Sequence, residues 1–326
     1  MGTRIVLLLL LGCSVDRAGL SVGEDGAVVG RDAGRDTFDA GDGGPIDGDD
    51  AGVDGGSMPG EDGGVDAGSD AGSDAGSDAG SDAGSDAGSS CDGLAAPTRE
   101  GLVIHYNAGV GVTTGPGTDG RPAVVTWLDQ SVRSNHALAR DVAYEAEGFG
   151  VGRPSVRTKG LDESHLELLN PRVDDFTIFV VLRTSYRRNA GNWFDSPCIL
   201  GGDGAGDVAD AALVLSDAKL GFTRQESGHG IRSSGRIDDG MPHVISTSRD
   251  GGSGDVVIRL DGAVFADGSS TSGRIEAPNN WWIGAHQDHA RGRIDASFAE
   301  VRVYERRLSD EERDVVENHL RCQWID

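Results

Sequence analysis

From residue 91 onward the chain is built of short runs in which β-branched, aliphatic and aromatic residues alternate with polar ones, bounded by Gly, Asp, Asn or Pro. The runs are Leu102–Tyr106, Ala123–Leu128, His165–Leu169, Asp175–Thr184, Ala211–Leu215, Lys219–Thr223, His243–Arg249, Asp255–Leu260, Trp281–Gly284 and Phe298–Tyr304. A period of two sends alternate side chains to opposite faces of a strand, and short strands at this spacing predict an antiparallel sandwich or barrel. Phe176–Leu182 is apolar at nearly every position, which places it centrally in a sheet with both faces covered. Asp250-Gly251-Gly252-Ser253-Gly254 reads as a hairpin loop and Asp261-Gly262 as a tight turn. One helix is predicted near the end of the domain. Ser309-Asp310-Glu311-Glu312 is a capping box, and Val315, Val316, His319 and Leu320 follow as a short apolar stripe.

The first 90 residues have a different texture. Met1–Arg4 carries one positive charge and Ile5–Leu11 is an unbroken apolar run. That run is far shorter than the ~20 residues that cross a bilayer, but it suits the core of an export signal. It ends in Leu10-Leu11-Gly12-Cys13, which resembles the lipobox at which lipoprotein signal peptidase cuts before a lipidated cysteine. The resemblance implies lipidation at Cys13 and membrane attachment through that lipid alone. Ser14, rather than Asp, comes after the cysteine, as in lipoproteins forwarded to an outer membrane. The expected location is therefore the cell envelope, at the outer membrane or cell surface.

Composition divides the chain after Cys13 into two parts. The whole carries a net charge of −25, and residues 14–90 hold 19 Asp and Glu against three Arg. From Asp66 to Ser89 the sequence is a four-residue Asp-Ala-Gly-Ser repeat, too short a period for a solenoid unit. So few apolar residues with so much like charge cannot offset the entropy of ordering the chain, and residues 14–90 are expected to be a disordered acidic linker. A Gly-rich coil of this length spans on the order of 50 Å, and charge repulsion extends it. The expected organisation is a signal peptide over 1–13, a linker over 14–90 and one β-sandwich over 91–326. No basic cluster is present to supply the electrostatic footprint that nucleic acid requires.

Within the domain, Trp127-Leu128-Asp129-Gln130-Ser131 and then Asn135-His136-Ala137 are similar to the opening signature of bacterial laminin-G-like jelly-roll domains. Arg153–Arg157, Leu166-Glu167-Leu168, Asp175–Leu182 and Ile199–Gly202 resemble that family's next strands. Asp239-Gly240-Met241-Pro242-His243-Val244 looks like a later one, with Pro242 in place of its usual Trp. Phe298–Tyr304, then Arg307–Arg313, resembles the closing strand and helix. The resemblance spans most of 95–322. It implies the concanavalin A-like lectin and glucanase architecture, in which two antiparallel sheets stack as a jelly roll.

Export implies an oxidising compartment, where disulfides persist. Cys91 opens the domain and Cys322 closes it, and sandwich termini often lie together, so a Cys91–Cys322 bridge is expected. Cys198 remains, with the burial typical of that residue type.

Candidate chemistry is sparse. Laminin-G-like domains frequently bind calcium through loop oxygens, and Asp129 and Asn135 flank the first signature loop, which makes them the calcium candidates. His286-Gln287-Asp288-His289 could ligate a metal if its loop curls. Trp281 and Trp282 are adjacent, so one must point inward and the other outward. An outward ring beside Asn280 and His286 would offer a sugar a stacking plane with hydrogen-bonding neighbours, and Trp193 could contact a ligand from the 189–197 insertion. For catalysis, Glu163-Ser164-His165-Leu166-Glu167 has the alternation of a retaining glucanase's carboxylates. Leu166 and Leu168 are the apolar partners of that strand, so these polar residues are expected on a solvated face. Together these features describe a non-catalytic, envelope-anchored module binding a glycan or a surface protein. The alternatives are a glycoside hydrolase or polysaccharide lyase of the same fold, and a structural envelope protein.

Overall fold

The computed structural model describes residues 91–326 except 119, 162, 189–194, 203–209, 225–229, 277–278 and 288–291. Cys13, the linker, Trp193, Asp288 and His289 lie outside the described residues.

Among the described residues the protein is nearly all β, with its strands paired antiparallel and one helix, α1 (Asp310–Trp324). Numbered in chain order, the strands are β1 (Leu102–Asn107), β2 (Val112–Pro116), β3 (Pro122–Trp127), β4 (Ala137–Arg140), β5 (Ala143–Glu145), β6 (Ser155–Lys159), β7 (His165–Leu169), β8 (Phe176–Arg183) and β9 (Cys198–Gly202). They continue as β10 (Ala211–Ser216), β11 (Lys219–Arg224), β12 (Gly230–Arg232), β13 (Pro242–Arg249), β14 (Asp255–Leu260), β15 (Ala263–Ser269), β16 (Asn280–Ile283) and β17 (Asp295–Tyr304).

The pairings form two layers. One runs β5-β6-β17-β8-β13-β14-β15, with β1 beside β6 along the same edge of β17. The other runs β2-β3-β4-β7-β16-β9-β10-β11-β12. A single pairing, Ala123 with Ala143, joins them at one edge. Aromatic contacts stitch the facing sides. Tyr106 of β1 stacks on Trp127 of β3 at 5.4 Å, and Phe176 of β8 meets Phe222 of β11 at 5.6 Å. As the pattern requires, β8 is buried from Phe176 to Leu182, between β13 and β17.

Every run predicted from alternation is a strand, and both turns form. Asp250–Gly254 joins β13 to β14, and Asp261-Gly262, both at positive φ, joins β14 to β15. Alternation does not reveal β2, β4, β5, β12 or β15, which are short or largely exposed, nor β6 and β9, which fall in segments marked by the family resemblance.

Helix α1 begins at the predicted capping box. The Ser309 hydroxyl accepts the Glu312 N–H, and the Glu312 carboxylate accepts the Ser309 N–H at 2.9 Å. Its buried stripe is turned from the expected one, to Arg313, Val316, Glu317, Leu320 and Trp324, with Val315 and His319 at the margin. The reason lies in the surface it covers. β13 presents Ser246 and Ser248 there, Arg313 donates to both at 2.7 and 2.9 Å, and Ser246 donates to Glu317. A polar sheet face selected a partly polar helix face. The Cys91–Cys322 disulfide is present and fastens this helix to the start of the domain, while Cys198 is buried in β9.

Candidate ligand-binding cleft

The Trp127-x-Asp129 signature acts as a staple. The Asp129 carboxylate accepts the backbone N–H groups of His105, Ser131 and Asn135 at 2.8 Å each, and the Ser131 hydroxyl at 2.7 Å. Two donors fall on each oxygen, which fills the four acceptor positions a carboxylate has. Asn135 is equally engaged, since its amide donates to Leu169 O at 2.8 Å and accepts Leu169 N–H at 3.0 Å. Both calcium candidates are thus drawn into hydrogen bonds that hold the signature loop. Asp129 closes the loop onto β1 and Asn135 ties it to β7.

Trp281 and Trp282 do point to opposite sides. Trp281 enters the core between the sheets, and Trp282 lies on the outer side of the second layer in one cross-strand row with Glu167. The expected open stacking plane is not there. Trp282 is only 5 % exposed, and the His165 imidazole lies parallel to its ring with centroids 3.8 Å apart. Asn280 donates its amide to Glu167, and Gln287 donates to Asn280 O at 2.9 Å. His286 is fully buried, pressed so closely against Gly292 that any Cβ at that position would overlap its ring. The structure thus gathers Asn280 and Trp282 with two unpredicted neighbours, His165 and Glu167, as a packed cluster. The alternation gave the correct direction for these side chains but could not show what covers them.

The same burial corrects the placement of His165, which was expected in solvent. Glu163 sits in an exposed turn at φ +71° before β7 begins. It therefore shares no strand face with Glu167, as a retaining carboxylate pair requires.

A wider opening lies elsewhere. Arg157 on β6, Ser297 on β17 and Arg183 on β8 are directly opposed residues of three neighbouring strands, so their side chains form one row. Val156, Phe298 and Leu182 form the next row and point into the core, which sends the first row outward. Thr184–Arg187, leaving the end of β8, and Gly240 complete the walls of a cleft of about 560 Å3. Its geometry is held by internal bonds. Thr184 donates to Asp295 O at 2.7 Å and accepts Tyr186 N–H at 2.9 Å, fixing the chain as it turns off the strand.

Charge in the cleft is partly balanced from within. Arg157 grips Asp295 with two hydrogen bonds, at 3.0 and 3.2 Å, and reaches Glu145 at 3.2 Å. Those bonds to Asp295, against the cost of burial, raise the affinity of Arg157 for its proton. Burial works to raise Glu145, but hydrogen bonds from Ser155, Arg157 and Ser297 outweigh it and hold this carboxyl below its ordinary range. Arg187 pairs with Asp238 at 2.6 Å. Arg183 instead lies over the Phe149 ring, 5.7 Å from its centre, and among the described residues no carboxylate is in ion-pair range of it. None of the cleft residues was singled out by the sequence, because they come from strands far apart in the chain. An arginine closing the apolar run of β8 was the one visible trace.

A smaller cavity of about 310 Å3 opens between residues 96–99, β1 and α1, lined by His105, Asn107, Arg302 and His319. Beneath it the buried Glu300 carboxylate accepts from His105, Arg302, Asn107 and Trp324. That network joins the sheet to the helix.

No family model and no curated protein matches the sequence. Among solved structures, it is similar to the binding domain of Paraclostridial Mosquitocidal Protein 1, at 14 % identity and TM-score 0.48, over 68 % of this chain and 52 % of that one. It is similar to Trypanosoma rangeli sialidase in complex with sialic acid, at 15 % identity and TM-score 0.49, over 72 % and 35 %. Domain 4 of AbnA, a GH43 extracellular arabinanase from Geobacillus stearothermophilus in complex with arabinotriose, aligns at 13 % identity and TM-score 0.47, over 66 % and 97 %. The chain thus spans about half of the first of these structures and about a third of the second.

Proposed function

We propose that this chain is a non-catalytic binding module of laminin-G-like type that holds a glycan in the Arg157–Arg183–Tyr186 cleft. A lipid on Cys13 anchors it to the cell envelope, and residues 14–90 set it away from the membrane. The observation that supports the glycan reading is the make-up of the cleft. A volume of about 560 Å3 falls within the usual range for small-ligand sites, while its walls are largely hydrogen-bonding. Arg157 and Asp295 are locked in plane, Ser185 is exposed, and the Tyr186 ring offers an apolar face with a polar tip. Such groups suit hydroxyl-bearing rings. The support for anchoring is the Leu10–Cys13 motif at the end of a short apolar run.

Printing the full purified chain on a glycan array, with the eluates analysed for released sugars, tests the glycan reading. Retention of a defined glycan set without cleavage is expected, and Tyr186→Ala should weaken it about tenfold or more. Retention of none would overturn the reading, and released reducing ends would establish a hydrolase in its place. For the anchor, a clickable palmitate analogue should label the chain in a bacterial host and fail to label Cys13→Ser. Undiminished labelling of that variant would rule out Cys13 as the lipidated residue.

A further inference from the structure

Three guanidinium groups border the cleft, and their surroundings differ. Arg157 is neutralised by Asp295 and Glu145, and Arg187 by Asp238. Arg183 has an aromatic ring in place of a carboxylate. Phe149 is itself buried, wedged edge-on against Trp324 at 6.2 Å, so it is a fixed platform for the cation. A ring face attracts the charge and orients the planar fork, yet leaves its in-plane N–H donors to find acceptors. The strand register sets where they find them. Arg183 and Arg157 flank Ser297 in one row, about 9–10 Å apart at the usual strand spacing, which is close to the width of one or two sugar rings.

We infer that Arg183 is the specificity-determining residue of the cleft and receives the carboxylate of an acidic sugar, such as a uronate, whose ring lies towards Tyr186. This deepens the glycan reading and rests on it. A guanidinium fork matches a carboxylate with two parallel hydrogen bonds, and among the described residues no internal acid pairs with it. Asp295 cannot serve that purpose, because Arg157 already holds both of its oxygens. It remains placed to accept from sugar hydroxyls at the other end of the row. The cleft therefore has a cationic end at Arg183 and a balanced end at Arg157 and Asp295. This polarity would orient an acidic saccharide along it.

The test compares the full chain and two variants, Arg183→Gln and Arg183→Lys, on an array carrying neutral, uronate-containing and sulfated oligosaccharides, with methyl-esterified uronates as matched neutral partners. Binding is expected to the free uronates over their methyl esters. Arg183→Gln should lower it at least tenfold, as loss of a charge-assisted pair does, and Arg183→Lys should restore part of it. Unchanged thermal unfolding of both variants shows that the fold is intact. Equal binding of esters and free acids, or binding confined to neutral or sulfated glycans, overturns the assignment to Arg183 and leaves the glycan reading standing. Binding to no glycan at all overturns both.

Discussion

Glu300→Gln is expected to lower the unfolding free energy by about 3–5 kcal/mol, the usual cost of removing one partner from a buried ion pair. Glu300 is 1 % exposed and sits where β1, β17 and the end of α1 meet. One of its oxygens accepts from His105 at 2.9 Å and from Arg302 at 2.6 Å, and the other accepts from Asn107 at 3.0 Å and Trp324 at 2.7 Å. Glutamine has nearly the same shape, so packing survives. Its amide nitrogen would nonetheless face two of those donors, and the buried Arg302 charge would lose its counterion. Urea denaturation measures the effect, with Glu305→Gln as the control. Glu305 pairs with Arg133 at the surface, where such pairs contribute about 0–1 kcal/mol. A loss at Glu300 no larger than that of the control would contradict the network.

The same residue carries a pH signature. Burial works to raise its pKa, but Arg302 and His105 dominate and hold it below the ordinary glutamate value. A group whose folded pKa is depressed contributes stability above its unfolded pKa, and that contribution fades as pH falls through the folded value. Acid should therefore destabilise the wild type more steeply than Glu300→Gln, with the two curves converging at low pH.

The second large effect is expected on opening the Cys91–Cys322 disulfide. It closes a loop with a sequence separation of 231, for which the chain-entropy model gives about 5 kcal/mol, an upper figure for real bridges. Its local consequence is equally specific. Residues before β1 are held by few other bonds, including Tyr304 to Thr98 O at 3.0 Å and Arg306 to Glu100 O at 3.2 Å. Without the bridge, this segment should fray from the helix before the sheets separate. Denaturation of the Cys91→Ala/Cys322→Ala double variant reads the global loss, and hydrogen exchange over residues 91–101 reads the local one. An unchanged midpoint together with unchanged exchange would mean that the bridge constrains neither state.

Several features were legible from the residues alone, each for a local reason. The strands from β1 to β17 that bury one side show it as alternation, because pleating puts alternate side chains on one face. β8 shows itself as a continuous apolar run because both its faces are covered. The Ser309 capping box and the Asp261-Gly262 turn are written in two to four consecutive residues. The bridge between Cys91 and Cys322 is implied by their positions at the two ends of one sandwich.

Tertiary structure decided the rest. Alternation sends Trp282 and His165 away from the core between the sheets, yet both are buried there, stacked on each other. Asp129 and Asn135 look like cation ligands by type, and only the fold shows that they also tie the signature loop to β1 and β7. The cleft is the extreme case. Arg157, Arg183 and Ser297 become neighbours only through the register of β6, β17 and β8, strands that lie far apart in the chain. A period along the sequence determines which way a side chain points. What it meets when it arrives depends on strand pairing, and pairing is settled only when distant segments compete to bury the same surface.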